Sequence, residues 1–426
     1  MLYNGRELSV LGEYDVIVAG SGPAGLCAAV ASARNAAKTA IVERYGILGG
    51  NLTSGHVGPV MGRIGEGTLA GEVNRMIGTK LPIARVAPDF ERAKTAFPAW
   101  MKKEGVDIFL QSPVIDVVQD ANDLRGIIVS TPDGPGVLTG KCIVDATGDG
   151  FVSFLAGEEY EKGRKEDHLM QPVTLMFRLA GLDMERMPPL DSRKYNLKVP
   201  GMSLRELGKE AAKTGLLPEK ASFVRIYRGV RDGECMINTT QANFIDGTNV
   251  YDIEKAECDL RDQIYHVTEF LRGHIEGFEN AYVTSSSSTL GVRETRRIMG
   301  TYVLNDADIE KGRKFEDMVV HNAEFIVDIH HITKGGQQED RKVPPYDIPY
   351  RCLVPKRIDH LLLAGRCISG THRAMASYRV MNICMAIGQA SGVAASLCAQ
   401  KGIKPRELDY QEVQKALTTM GVNLYD

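Results

Sequence analysis

The sequence predicts an α/β fold in which a mostly parallel sheet, flanked by helices, is interrupted by an inserted α+β domain. Three features point to it. Residues 14–43 read strand, glycine turn, helix, strand, the ~30-residue span of a βαβ unit. Residues 106–148 hold short β-branched runs separated by turns. Residues 360–365 form another apolar run ending in glycine, followed by a long, weakly polar stretch at 380–399.

At 426 residues the chain exceeds one small module, since domains average ~150 residues. Hydrophobic residues make up 43% and charged residues 25%, which excludes a mainly disordered chain. Lys plus Arg (51) nearly balance Asp plus Glu (54), so no basic field gathers phosphates and nucleic acid is not an expected partner. The first thirteen residues lack a basic segment followed by an apolar run, so no secretory signal is expected. Residues 380–399 carry Asn382, Gln389, Ser391 and Ser396, which suits a buried helix better than a membrane span. Eight cysteines are scattered without a Cys-x-x-Cys pair. Zinc and iron–sulfur sites are therefore not expected, no metal is assigned, and a reducing cytoplasm fits best.

Taken in order, residues 15–19 form a short apolar strand and 26–37 an Ala-rich helix free of Gly and Pro. Residues 38–43 form the second strand. The runs 106–110, 114–119, 126–131 and 136–146 then make a β-meander that returns to the parallel sheet. Its turn at Pro132-Asp133-Gly134 has a mechanism, because Pro sets φ and Gly tolerates positive φ. From 172 to 336 the pattern is mixed, with strands at 173–179 and 223–227 and helices at 204–214 and 253–272. Residues 1–171 and 337–426 are therefore assigned to one discontinuous domain, and 172–336 to an inserted substrate or cap domain.

Gly20-Ser-Gly22-Pro-Ala-Gly25 stands directly after the first strand and opens the helix. Gly20 permits the tight turn, Gly22 lets backbone approach a pyrophosphate, and Gly25 lets helix and strand pack closely. The helix N-terminus adds N–H groups and partial positive charge. Glycine turns also arise for purely local steric reasons. The preceding strand, the following helix and Glu43 at the end of the second strand make dinucleotide binding the better reading. An acid at that position accepts from ribose hydroxyls and disfavours a 2′-phosphate.

Three further segments, Gly49-Gly50, Asp145-Ala-Thr-Gly-Asp-Gly150 and Leu363-Ala-Gly-Arg-Cys-Ile-Ser369, resemble those of flavoproteins of the glutathione-reductase structural superfamily. Within it the chain resembles the FAD-dependent oxidoreductase family, distantly similar to fumarate reductase and succinate dehydrogenase flavoproteins. That likeness lies in Arg293-Glu-Thr-Arg-Arg-Ile-Met-Gly300, Asp328-Ile-His330, Tyr346-Asp-Ile-Pro-Tyr-Arg351 and residues 381–392. It implies a Rossmann-like FAD-binding domain of glutathione-reductase type. Gly20, Gly22 and Gly25, with Pro23 and Ala24 between them, would hold the pyrophosphate, Glu43 the ribose, and Arg44 the adenine side. Gly49, Gly50 and Asn51 would bring backbone to the pyrophosphate and flavin edge, and Val114 would offer backbone to adenine. Thr147, Gly148 and Asp149 would lie near the dinucleotide, Gly365 and Arg366 beside the second phosphate and ribityl chain. N–H groups near Asn382 and Ile383 would face flavin O2. Relatives with a histidyl–flavin bond carry His just before the Gly-Gly segment. Here His56 follows it, so FAD is expected to be non-covalent.

Hydride exchange with a flavin needs a proton donor or acceptor and cationic groups on the substrate side. His372 is the first candidate and His330 the second, with His331 behind them. Tyr378, Arg379 and Arg293 are candidates to clamp a carboxylate or polarise a carbonyl. A structural hydrogen bond or salt bridge is the competing reading for each. The expected function is an FAD-dependent oxidoreductase that transfers a hydride between flavin N5 and a small organic substrate. It would oxidise an alcohol- or sugar-type C–H or reduce an activated double bond. The alternative is an FAD-binding electron-transfer subunit of a larger redox complex. No second strand–GxGxxG–helix unit appears, so oxygen, a quinone, a nicotinamide or a carrier protein stays open for the other half-reaction. Self-association into a homo-oligomer also stays open.

Overall fold

Residues 16–19 are wholly buried, as a parallel strand covered by helices on both faces requires. They end strand β1 (Ser9–Ala19). Helix α1 (Pro23–Arg34) and strand β2 (Thr39–Val42) complete the expected βαβ unit. The computed structural model describes residues 2–3, 6–78, 87–191, 196–199 and 201–425. Parts of both expected domains, 79–86 in the first and 192–195 in the second, lie outside the described residues. Helix α2 (Phe90–Lys103) was not anticipated. Its N-cap is Asp89, whose side chain accepts from Arg92 N. Strands β3 (Asp107–Phe109), β4 (Val114–Asp120), β5 (Asp123–Thr131) and β6 (Gly134–Asp145) follow. The sheet order is β3-β2-β1-β6-β5-β4, parallel through β6 and then an antiparallel meander.

A second sheet has the order β8-β9-β7-β10. It is built from β7 (Phe177–Ala180), β8 (Arg225–Arg228), β9 (Cys235–Asn238) and β10 (Tyr282–Ser286), all antiparallel. Helix α3 (Val250–His274) begins at Asn249, whose side chain accepts from Tyr251 N and Asp252 N. Its Ala256, Leu260, Ile264, Val267 and Leu271 recur at helical spacing and share one core with Phe177, Leu179 and Ile237. That core draws only on residues 173–292. Buried side chains from Ile298 to Ile348 instead join the core of the first sheet, although 298–336 was assigned to the inserted domain. The reason is that the chain has already turned back towards the first sheet by Ile298.

Strands β11 (Val327–His330) and β12 (Gln337–Arg341) pair antiparallel, with Asp328 opposite Asp340. Strand β13 (Leu361–Leu363) then joins the free edge of β6 in parallel. The short helix α4 (His372–Tyr378) leads to α5 (Met381–Lys401). Among the described residues α5 is long and apolar enough to cross a membrane, but it is almost entirely buried within the protein. It lies directly on α1. A Cβ at Gly388 would stand 2.0 Å from Ala24 O, and one at Gly392 would stand 2.1 Å from Ala28 O. Ser32 Oγ donates to Gly392 O at 2.9 Å across the same contact. Backbone meets backbone here, so neither side can yield by changing rotamer. Gly392→Ala is expected to destabilise the fold by about 1–3 kcal/mol, the range for overpacked cores. A fall in the thermal unfolding midpoint followed by circular dichroism would show it.

Candidate functional site

Register aligns the strand ends. Ala19 lies opposite Val42 and Asp145, and Asp145 lies opposite Leu363. The loops after β1, β2, β6 and β13 therefore emerge together at the carboxyl edge, where the chain runs to β2 on one side of β1 and to β6 on the other. Open α/β sheets bind ligands at such a switch point. A cavity of about 1680 Å³ runs from this edge to the second sheet, beyond the ~300–1,000 Å³ of an ordinary ligand pocket. One end is lined by Gly20, Gly22, Glu43, Gly148 and Gly365, the other by Arg225, Tyr227, Arg293, Asp328, His330 and Arg379.

At the glycine end, Gly22 caps α1, and a Cβ there would meet no atom within 4 Å. Bare backbone thus faces the cavity. Gly25 does not line it. A Cβ at Gly25 would lie 1.9 Å from Gly20 O, so this glycine serves helix–strand packing. The buried Glu43 carboxylate accepts from Ser21 N at 2.9 Å and Tyr45 N at 3.0 Å, tying the turn to the end of β2. Gly49 also stays behind the wall, donating to Ser21 O at 3.0 Å, while Gly50 and Asn51 reach the surface. Pro23, Ala24, Arg44, Val114 and Thr147 line the same end. Asp149 accepts from Thr295 Oγ1 at 2.8 Å and pairs with Arg366, with Arg44 3.9 Å away. Burial opposes its charge, but Arg366 and Arg44 outweigh this and hold the carboxyl below the usual range. Arg366 Nε is buried without a partner. The open space at Gly22 and this unengaged guanidinium donor fit a pyrophosphate-bearing dinucleotide.

At the far end, Arg379 Nη2 donates to Asp328 Oδ2 at 2.8 Å, and Arg225 Nη2 donates to Gln337 Oε1 at 3.1 Å. Arg293 Nη1 donates to Pro172 O at 2.6 Å. His330 Nε2 sits 3.6 Å from Asp328 Oδ2, too long for a hydrogen bond. Burial, then the charge of Arg293, pushes His330 down to about 3. Burial, then Arg379, pushes Arg293 down to about 9. Burial also resists the charge of Asp328, but His330, Arg379 and Gln337 beside it keep the carboxyl well below its ordinary value.

Four other expected residues stay out of the cavity. His372 Nδ1 meets Glu294 Oε1 at 2.9 Å, and the buried Tyr378 hydroxyl donates to Ile368 O at 2.9 Å. Asn382 N is already engaged by Met61 O, and its side chain by Gly62 O and Asn74. Ile383 is fully buried, and Met381 and Cys384 take its place on the wall. His56 stacks on Phe90 at 5.0 Å, away from the cavity, and burial, with Lys94 and Arg178 adding to it, pushes it down to about 4. Arg225, Ser21, Tyr45 and Arg296 line the cavity without having been singled out. Arg225 opens the short strand Arg-Ile-Tyr-Arg, and nothing local distinguishes it from a solvent-facing arginine.

A parallel sheet with a glycine turn at its switch point and a long cleft defines a dinucleotide-binding α/β protein. The chain belongs to the FAD dependent oxidoreductase family, whose model matches residues 15–417. It is an enzyme, and its cofactor is FAD. It is similar to thiamine thiazole synthase of Pyrococcus horikoshii, with 29% identity over 149 residues, 32% of this chain and 58% of that protein. The chain thus spans little more than half the length of this curated relative. Among solved structures, a geranylgeranyl bacteriochlorophyll reductase-like protein from Thermoplasma acidophilum is 14% identical, with 96% and 83% of the two chains covered and a TM-score of 0.48. A flavin-dependent brominase is 13% identical, with 96% and 83% covered and a TM-score of 0.47.

Gly22→Val should fold, with an apoprotein unfolding midpoint close to wild type, yet retain no flavin absorbance after desalting. Gly25→Ala should lower the midpoint of the apoprotein itself. On acidification, His330 and His56 remain neutral in the fold down to about pH 3 and about pH 4, while in the unfolded chain they protonate near 6.5. The unfolded state therefore binds more protons, and stability falls as pH drops below 6.5. Each histidine contributes a slope approaching about 1.4 kcal/mol per pH unit between about pH 4.5 and 6. His56→Asn should flatten that slope in denaturant titrations by about one proton.

Proposed function

We propose that this enzyme transfers a hydride between FAD and a small organic substrate, oxidising an alcohol- or sugar-type C–H or reducing an activated double bond. One observation carries the reading: a single cavity joins the glycine turn to a buried cluster of His330, Arg293 and Arg379. A glutathione-reductase-type architecture belongs to the same reading, with distant kinship to fumarate reductase and succinate dehydrogenase flavoproteins. So does a division into an FAD-binding unit and a substrate unit. Bound FAD would supply a two-electron acceptor or donor of hydride.

The chain's own residues do the rest. Gly20, Gly22 and the first turn of α1 hold the pyrophosphate, and Glu43 accepts from the ribose. Gly365 and Arg366 hold the other phosphate side, and Gly50 brings backbone alongside. His56 lies away from the cavity on Phe90, which supports a non-covalent cofactor. In the oxidative direction His330 takes the substrate hydroxyl proton as the C–H hydride departs, leaving a carbonyl. In the reductive direction the protonated imidazole gives its proton to the double-bond carbon that does not take the hydride. Asp328, 3.6 Å away, stabilises the imidazolium so formed. Arg293 and Arg379 orient the substrate oxygen. His330 is preferred over His372 because only His330 lines the cavity.

The reading is tested first by the visible spectrum. FAD should pass a filter after denaturation, and a small molecule alone should bleach the flavin anaerobically. His330→Asn should keep its FAD and lose about 10²- to 10⁴-fold in bleaching rate, the usual share of acid–base catalysis. His372→Asn should bleach near the wild-type rate. An unchanged rate in His330→Asn would remove His330 from the mechanism.

A further inference from the structure

We propose that the substrate is a small organic dianion held by the guanidinium groups of Arg225 and Arg293 at the far end of the cavity. This rests on the oxidoreductase reading above. The argument is one of charge pairing. Four other arginines with largely buried side chains have a carboxylate partner: Arg297 has Glu294, Arg366 has Asp149, Arg178 has Glu234 and Arg379 has Asp328, while Arg296 lies over the rings of Phe154 and Tyr160 and donates to Asp149 O. Arg225 and Arg293 have none among the described residues. Their hydrogen bonds go to the neutral oxygens of Gln337 and Pro172.

Asp328 attracts both but hydrogen-bonds neither: its oxygens accept from Arg379 and from the Gln337 amide, and its one negative charge is shared among three guanidiniums. Arg205, Arg225, Arg293, Arg379 and Lys342 line the cavity with Asp328 and Asp340, so positive charge is in excess beside His330, and Arg225 is backed by the Phe223 ring at 4.1 Å. Buried charges persist when something pairs with them, and Arg225 and Arg293 both open onto the cavity. Each keeps planar N–H pairs suited to a carboxylate or phosphate.

These arginines are also distinct from the set at the glycine end. Arg293 interacts with Arg379, Asp328 and Arg225, whereas Asp149 interacts with Arg366 and Arg44. Cys384, on the first turn of α5, feels both Arg366 and Arg379 and so lies between the sets. A pyrophosphate on the glycine turn leaves Arg225 and Arg293 unmatched. A dianion there would also offset the repulsion that Arg293 exerts on His330, moving the imidazole towards a range useful for proton transfer.

The test uses the FAD-loaded enzyme at constant ionic strength set with chloride. It is titrated with succinate, with glycerol 3-phosphate and with the neutral succinamide, reading the flavin difference spectrum and the thermal midpoint. At least one dianion should saturate both signals while succinamide leaves them flat. Succinate alone would identify a dicarboxylate, and glycerol 3-phosphate alone a phosphate monoester. Arg225→Gln and Arg293→Gln should each retain FAD and weaken the dianion about tenfold or more, as expected for lost charged hydrogen bonds. If these variants fail to fold, the contrast between dianions and succinamide on the wild type still decides. Dianions binding no better than succinamide to a protein that holds FAD would overturn this proposal and leave the oxidoreductase reading standing. A protein that cannot be loaded with FAD would overturn both.

Discussion

The contact between α1 and α5 governs the rest of the molecule. Gly388 and Gly392 let the backbone of α5 rest on Ala24 and Ala28, closer than any side chain permits. Both helices are apolar around nearly their whole circumference, so the contact is buried on every side. It fixes two helix starts at once. The glycine turn opens α1 at one wall of the cavity, and Met381 opens α5 at another. The loop after β13 is drawn into the same arrangement, since Gly365 packs on Ala24.

Around that scaffold the cavity divides its charge. At the glycine end Arg366 and Arg44 are gathered around Asp149. At the far end the cations outnumber the acids, and burial weakens the hold of Arg293 and His330 on their protons. Such an arrangement costs folding free energy unless a ligand completes it. Sites that perturb proton affinities through burial plus neighbouring charge are where proton transfer is usually performed.

The N-terminal third was legible because its signals are local. The βαβ unit, the meander and the glycine turn each follow from neighbouring residues; most of their strand limits fall within two residues of those expected, although the first strand begins six residues earlier, at Ser9. Expectations for the site failed where chain neighbourhood stood in for spatial neighbourhood. His372 follows the Gly365 turn closely, yet the short helix α4 directs it to Glu294 behind the wall. Asn382 stands in the first turn of α5, but its N–H donates to Met61 O. Residues 298–336 looked continuous with the inserted segment, although their apolar side chains complete the first core.

By itself the sequence determined the βαβ unit, the glycine turn and the acid at Glu43, because turn sterics and strand periodicity act over a few residues. It also determined the apolar character of α5, which follows from composition alone. Only the tertiary structure decided that Arg225, Arg293, Arg379 and His330 share one chamber. They come from β8, from the segment after β10, from the end of α4 and from β11. Their proximity comes from two sheets packing across a cleft, and no spacing along the chain encodes it. Which charges go unpaired depends on that packing, and with it the chemistry of the site.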